Sequence, residues 1–302
     1  TKDYFEQKFT DLNTTIDSSK THYFSISESS DNLSGNKDNT GATSNKADAM
    51  AIGPNANATN VKSLAVGNNV YATGLRSIAI GTAPNPTTDA AGTTTTHNTS
   101  AEGENSIALG TSTTAQADNS VAIGTRAQTY TTDTTGNTGV SSVAIGNLAT
   151  TAGNQSVALG YNATVKYNYG TAIGAEALAS GDNAVAIGKG SKAYSTDSMA
   201  IGQDNSVTGN NVYGLGSSNS FSGEWGAITQ SGVSGYKNTV TSVSDQDTTN
   251  ALTGIYMTGN SNTFNQNVKY NVMQDITVQG SSNTIDGGAG GTSSHQNTLS
   301  QI

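Results

Sequence analysis

Val143-Ala144-Ile145-Gly146, Val157-Ala158-Leu159-Gly160, Thr171-Ala172-Ile173-Gly174, Val185-Ala186-Ile187-Gly188 and Met199-Ala200-Ile201-Gly202 follow one another with their glycines 14 residues apart. Five earlier copies of the same apolar–Ala–apolar–Gly unit begin at Met50, Leu64, Ile78, Ile107 and Val121, and Tyr213-Gly214-Leu215-Gly216 is a weaker late one. Gly53, Gly67 and Gly81 keep the interval, whereas Gly81 to Gly110 is 29 and Gly124 to Gly146 is 22. The first gap is two periods plus one residue and the second is one period plus eight, and both read as loops inserted into a repeating coil.

Each period holds two short strands. In the motif the two apolar residues share a face and the intervening Ala takes the other, because side chains alternate along a strand. The Gly permits a turn of positive φ. Three and five residues after it, small or apolar residues recur, as in Ala56 and Ala58, Val70 and Ala72, Ala163 and Val165, and Ala177 and Ala179. Two strands per period predict an all-β, parallel β-roll, each coil adding one strand to each of two sheets at about 4.8 Å per coil. The larger apolar pair is expected to fill the interior of its own roll. Such a core is thin against a backbone ordering cost of roughly 1–2 kcal/mol per residue. The outward alanines, Ala65, Ala79, Ala108, Ala122, Ala144, Ala158, Ala172, Ala186 and Ala200, are therefore expected to form a small-residue stripe along which three copies meet.

Composition supports a thin, regular coil. Only 33% of the 302 residues are apolar and only 12% are charged, the balance being small and polar. A disordered chain with so few apolar residues is usually charge-rich. The net charge of −9 argues against nucleic acid as a partner. There is no cysteine, which excludes a disulfide scaffold. No apolar run is long enough to span a bilayer and no signal peptide is present, so a secreted protein would contain this chain as a fragment.

Four regions follow from the pattern. Residues 1–20 carry Phe5, Phe9, Leu12 and Ile16 at heptad spacing, which predicts a short helix, either a trimeric coiled coil or an amphipathic cap. Residues 21–47 hold a lead strand at 22–26 and a polar connection. The clear repeats occupy 48–216. In 217–302 an Asn–Ser/Thr–apolar unit, as in Asn219-Ser220-Phe221, Asn238-Thr239-Val240, Asn262-Thr263-Phe264 and Asn283-Thr284-Ile285, occupies the second-strand slot, with Asn205-Ser206-Val207 before it and Asn297-Thr298-Leu299 after it. This predicts the same roll with longer loops and Ile255, Met257, Ile276 and Val278 as partners.

Signatures of catalysis are absent. His22, His97 and His295 are isolated, and there is no metal-ligand spacing, nucleophile elbow or phosphate loop. No enzyme activity, cofactor or metal is expected. Recognition chemistry is expected where the coil is interrupted, at 84–103, 130–139, 222–234 and 241–254. Trp225, the single tryptophan, stands beside Glu224 in the third interruption, either as a receptor hot spot or as a plug of the roll. Tyr130 and Asp133 mark the second as a further receptor-binding candidate.

The units Asn105-Ser106-Ile107-Ala108-Leu109-Gly110, Asn119-Ser120-Val121-Ala122-Ile123-Gly124 and Ser156-Val157-Ala158-Leu159-Gly160 resemble the head of the YadA-like trimeric autotransporter adhesins. The resemblance covers residues 48–216 closely and the remainder loosely. It implies a left-handed parallel β-roll, a homotrimer, and exposure on the outer membrane surface of a Gram-negative bacterium. It also implies a coiled-coil stalk and a membrane anchor outside this chain. Members bind collagen, fibronectin, laminin or carcinoembryonic-antigen-related cell adhesion molecules, and many self-associate. The expected function is a virulence-type surface adhesin that attaches to a host receptor or matrix protein, with autoagglutination in addition. The alternatives are a solenoid spacer that only projects a binding tip and, less favoured, an ice-binding array.

Overall fold

A computed structural model describes residues 2–19, 46–83, 98–130, 139–208 and 212–216 continuously, with separate strands between them and as far as residue 286. Side chains are described for 2–12, 46–83, 98–130, 139–208 and 214–216. Two 15-stranded sheets run along the chain, and each coil contributes one strand to each. Apart from the first strand, pairing within both sheets is parallel, and register follows the repeat: Ala122 lies beside Ala144, Ala144 beside Ala158, and Ala158 beside Ala172. The predicted roll is therefore present.

The glycine turn is also as expected. Gly160 has φ +138°, and a Cβ added there would stand 2.5 Å from the carbonyl oxygen of Gly174 in the next coil. Backbone contact between coils leaves no room for a side chain at this corner. A second set of corners was not anticipated. Every seven residues a non-glycine residue takes the left-handed conformation, as at Asn105, Ser112, Asn119 and Arg126, or Gln155, Asn162, Tyr169, Glu176 and Asn183. Asn and Asp are frequent there because their short polar side chains tolerate positive φ. They also stack: Asn105 Nδ2 donates to Asn119 Oδ1 at 2.9 Å and Asn183 Nδ2 to Asp197 Oδ1 at 2.9 Å.

The interior corrects one expectation. Ala65, Ala79, Ala108, Ala122, Ala144, Ala158, Ala172, Ala186 and Ala200 are all 0% exposed inside the single chain. They face inward, and the larger apolar pair faces out. The residue before the motif shares the inner face with Ala, and there Ser77, Ser120, Ser142 and Ser156 are also fully buried. From the other sheet Ala163, Val165, Ala177 and Ala179 close the interior, as the spacing predicted. The reason is width: the largest fully buried side chains are Val70, Val165 and Val207, so no Ile or Leu enters the described core.

Such a core contributes little hydrophobic free energy per coil, and much of its order is polar. Each coil's amides and carbonyls pair with the coils above and below, as obligatory backbone groups must. Several buried serine hydroxyls are satisfied locally, Ser120 Oγ donating to Ala117 O and Ser156 Oγ to Gly153 O, both at 2.6 Å, whereas Ser106 Oγ is buried without a partner. Thr151 Oγ1 donates to Ser142 Oγ at 3.0 Å across the interior, tying one sheet to the other.

The two ends depart from the repeat in different ways. Helix Lys2–Ser19 is present as expected. The lead strand Phe24–Ser27 also forms, but it pairs antiparallel with Ala49–Ile52, Ile26 lying beside Met50. The gap after Gly81 encloses one coil and not two: Thr99–Ala101 pairs directly with Val70–Ala72, and Ile107–Thr111 with Ile78–Thr82. Residues 99–103 thus belong to the roll, and a small antiparallel pair, Thr87–Thr88 with Thr94–Thr95, lies in the insertion.

In the last third Phe221, Val240, Phe264 and Ile285 stand in register in the second sheet, the slot assigned to them. Part of the extra length expected as loops is a third short parallel sheet, Ile228–Thr229, Leu252–Thr253 and Met273–Gln274. The triplet Asn297-Thr298-Leu299 lies outside the described residues.

Candidate assembly and binding faces

Inversion of the strand turns the motif's apolar pairs into a surface. Met50 and Ile52, Ile78 and Ile80, Val121 and Ile123, Val143 and Ile145, and Val185 and Ile187 share the outer face of the first sheet. None of them is buried, and Ile80 and Leu159 are 40% and 43% exposed. Ten motif strands at about 4.8 Å each make this strip roughly 45 Å long. An apolar strip of that length differs from the isolated exposed apolar residues of an ordinary soluble surface and is the kind of patch found at interaction faces. Thr171 is the one polar interruption among the ten motif copies.

The alanines expected to form an assembly surface are therefore enclosed within one chain, and the exposed apolar column lies one residue away. The thin interior leaves this apolar column outside the roll of the single chain. The helix carries a second such strip, with Phe5, Phe9 and Leu12 at 72%, 67% and 54% exposure.

The outer face of the second sheet is mostly polar. Its outward column runs through Asn57, Tyr71, Ser100, Thr114, Gln128, Thr150 and Thr164. Gln128, Leu178 and Lys192 interrupt the threonines, so no regular Thr array is presented. Of the receptor-binding candidates, Tyr130 is half-buried at the end of strand Gln128–Thr129, and its hydroxyl donates to Gln128 Oε1. Asp133, Glu224 and Trp225 lie outside the described residues. Among the described residues no group of three His, Cys, Asp or Glu side chains is placed to hold a metal ion.

Residues 44–69, 101–127, 138–163, 168–191 and 193–212 each match the family model of the YadA head domain repeat, which spans two copies of the repeat. No individual curated protein matches the chain. The matched segments hold nine of the ten motif copies, the copy at 78–81 lying between the first two segments. From residue 44 to residue 212 the chain is thus a YadA-like head domain, the adhesin-type roll of bacterial surface proteins.

Proposed function

We propose that this head is the binding part of a trimeric autotransporter adhesin, and that three left-handed rolls associate side by side through the outward Val/Ile strip. The supporting observation is the strip itself, broken only at Thr171 among the ten motif copies, while the outer face of the opposite sheet is mostly polar. Three copies turning these strips to a common axis remove them from water, and at about 25 cal/mol per Å² of apolar area this offsets what the Ala-and-Ser interior lacks. The exposed Phe5, Phe9 and Leu12 seam fits a parallel helical bundle at the same axis.

In this reading the protein performs no catalysis and needs no cofactor. It sits outside the cell on an anchor in the outer membrane and attaches to a host surface or matrix protein, and it also mediates autoagglutination. Threefold presentation multiplies a weak site into an avid one. Light scattering on the purified head tests the assembly, and solid-phase binding to collagen, fibronectin, laminin and carcinoembryonic-antigen-related cell adhesion molecules tests the attachment. A stable trimer that binds none of them favours the spacer reading.

A further inference from the structure

A cleft of about 510 Å³ opens on the outer face of the second sheet, away from the apolar strip, with Tyr71, Ser100, Glu102, Thr114, Gln116 and Gln128 among its lining. It exists because of a size sequence along one column. Tyr71 is in register with Ser100, Ser100 with Thr114, and Thr114 with Gln128, so two small residues lie between two large ones. Three strand steps make the trough about 14 Å long. Thr73, Asn98 and Ser112 complete the described lining. The floor is anchored: Ser100 Oγ donates to Glu102 Oε1 at 2.8 Å, and Tyr130, flanking the far end, holds the Gln128 amide through its hydroxyl.

We propose that this cleft binds a short neutral oligosaccharide. Its lining combines hydroxyls, amides and one carboxylate, which donate and accept in the mixed pattern that sugar hydroxyls require. Tyr71 adds a partly exposed ring at one end, an apolar surface with a polar tip suited to the C–H face and hydroxyl rim of a pyranose. Among the described residues no Lys, Arg or His lines the cleft, and Glu102 opposes anions, so sialylated and sulfated chains are disfavoured. A peptide would need a free strand edge or apolar pockets for alternate side chains. Here the strands beneath are paired on both sides and the floor is polar. The volume falls within the range of small-molecule sites, about 300–1,000 Å³. The proposal depends on the assembly reading only in that the first sheet, not the second, faces the other copies.

The test is a glycan array carrying neutral, sialylated and sulfated oligosaccharides, probed with the intact chain and followed by calorimetry on neutral hits. Thr114→Trp fills the trough from an outward position, and Glu102→Gln removes the charge while keeping the shape. The expected result is binding of neutral di- to tetrasaccharides, weakened at least tenfold by each variant at unchanged melting temperature. Retained binding in both variants, a response to charged glycans alone, or no glycan binding overturns the proposal. Loss of the trimer or of matrix-protein binding, with neutral glycan binding intact, counts against the assembly reading and leaves the cleft standing.

Discussion

Ala158 and Leu159 are adjacent in one strand and point to opposite sides of the sheet, Ala158 fully enclosed in the roll and Leu159 43% exposed on its surface. Substitutions at the two positions should therefore fail differently. Ala158→Leu forces three extra carbons into an interior whose largest fully enclosed residue, among those described, is Val, and overpacking of this kind costs about 1–3 kcal/mol. Denaturant unfolding should show the loss in each chain, whatever its oligomeric state.

Charging the outer strip should act on assembly. The double variant Val143→Glu with Ile145→Glu places two carboxylates on the strip without entering the core. Light scattering should fall to the 30.6 kDa of one chain. The melting temperature should drop and lose its dependence on protein concentration, since subunit association no longer contributes. A variant that stays trimeric would mean that the copies meet elsewhere.

Gly160→Ala should be far more damaging than its single methyl suggests. The position combines φ +138° with a backbone carbonyl 2.5 Å from the new Cβ. Backbone strain alone is worth about 1–3 kcal/mol. Relief of the clash would pull two coils apart, and amide exchange should rise first in the coils containing Gly160 and Gly174.

Tyr169→Asn should raise stability. Tyr169 sits at φ 59° with 56% of its surface exposed, so little packing is lost. Asn tolerates the left-handed region better than a bulky residue, and the same column already carries the Asn183–Asp197 bond one coil on. A gain of about 1 kcal/mol in chemical denaturation is expected.

Deleting residues 131–138 should leave the roll intact. The register continues across the insertion, Val121 lying beside Val143 and Gln128 beside Thr150. Gly139 packs directly against the carbonyl of Tyr130, so the two ends already meet. Removing eight residues restores the 14-residue spacing between Gly124 and Gly146. Unchanged circular dichroism and melting would confirm that the insertion is dispensable for folding.

Strand positions, glycine turns and coil register were legible because they depend only on spacing, and Ala144, Ala158 and Ala172 stack where spacing puts them. Which side faces in was not legible from the motif alone. Alternation separates Val143 and Ile145 from Ala144 but does not say which set is enclosed. Assigning the larger residues to the core assumed an ordinary interior width. The signal lay one residue earlier: Ser142 shares a face with Ala144, and Ala149 and Thr151 oppose them from the other sheet, all 0% exposed. Small residues on both facing strands imply sheets too close for Ile. The cleft at Tyr71 went unread for a different reason. Ser100 joins Tyr71 only because the insertion is bridged within a single coil, which the interval of 29 does not reveal.

The lead strand Phe24–Ser27 has a consequence for solubility. A parallel solenoid ends in a row of unpaired amides and carbonyls, a template on which another copy can continue the winding. At the first coil Phe24–Ser27 occupies that row in the reverse direction, Phe24 lying opposite Ile52. A second molecule approaching the first sheet from this end meets a strand running the wrong way and cannot extend the parallel ladder in phase. The reversal breaks the parallel phase of the first sheet at this end, so end-to-end stacking of copies as one unbroken parallel roll is opposed there.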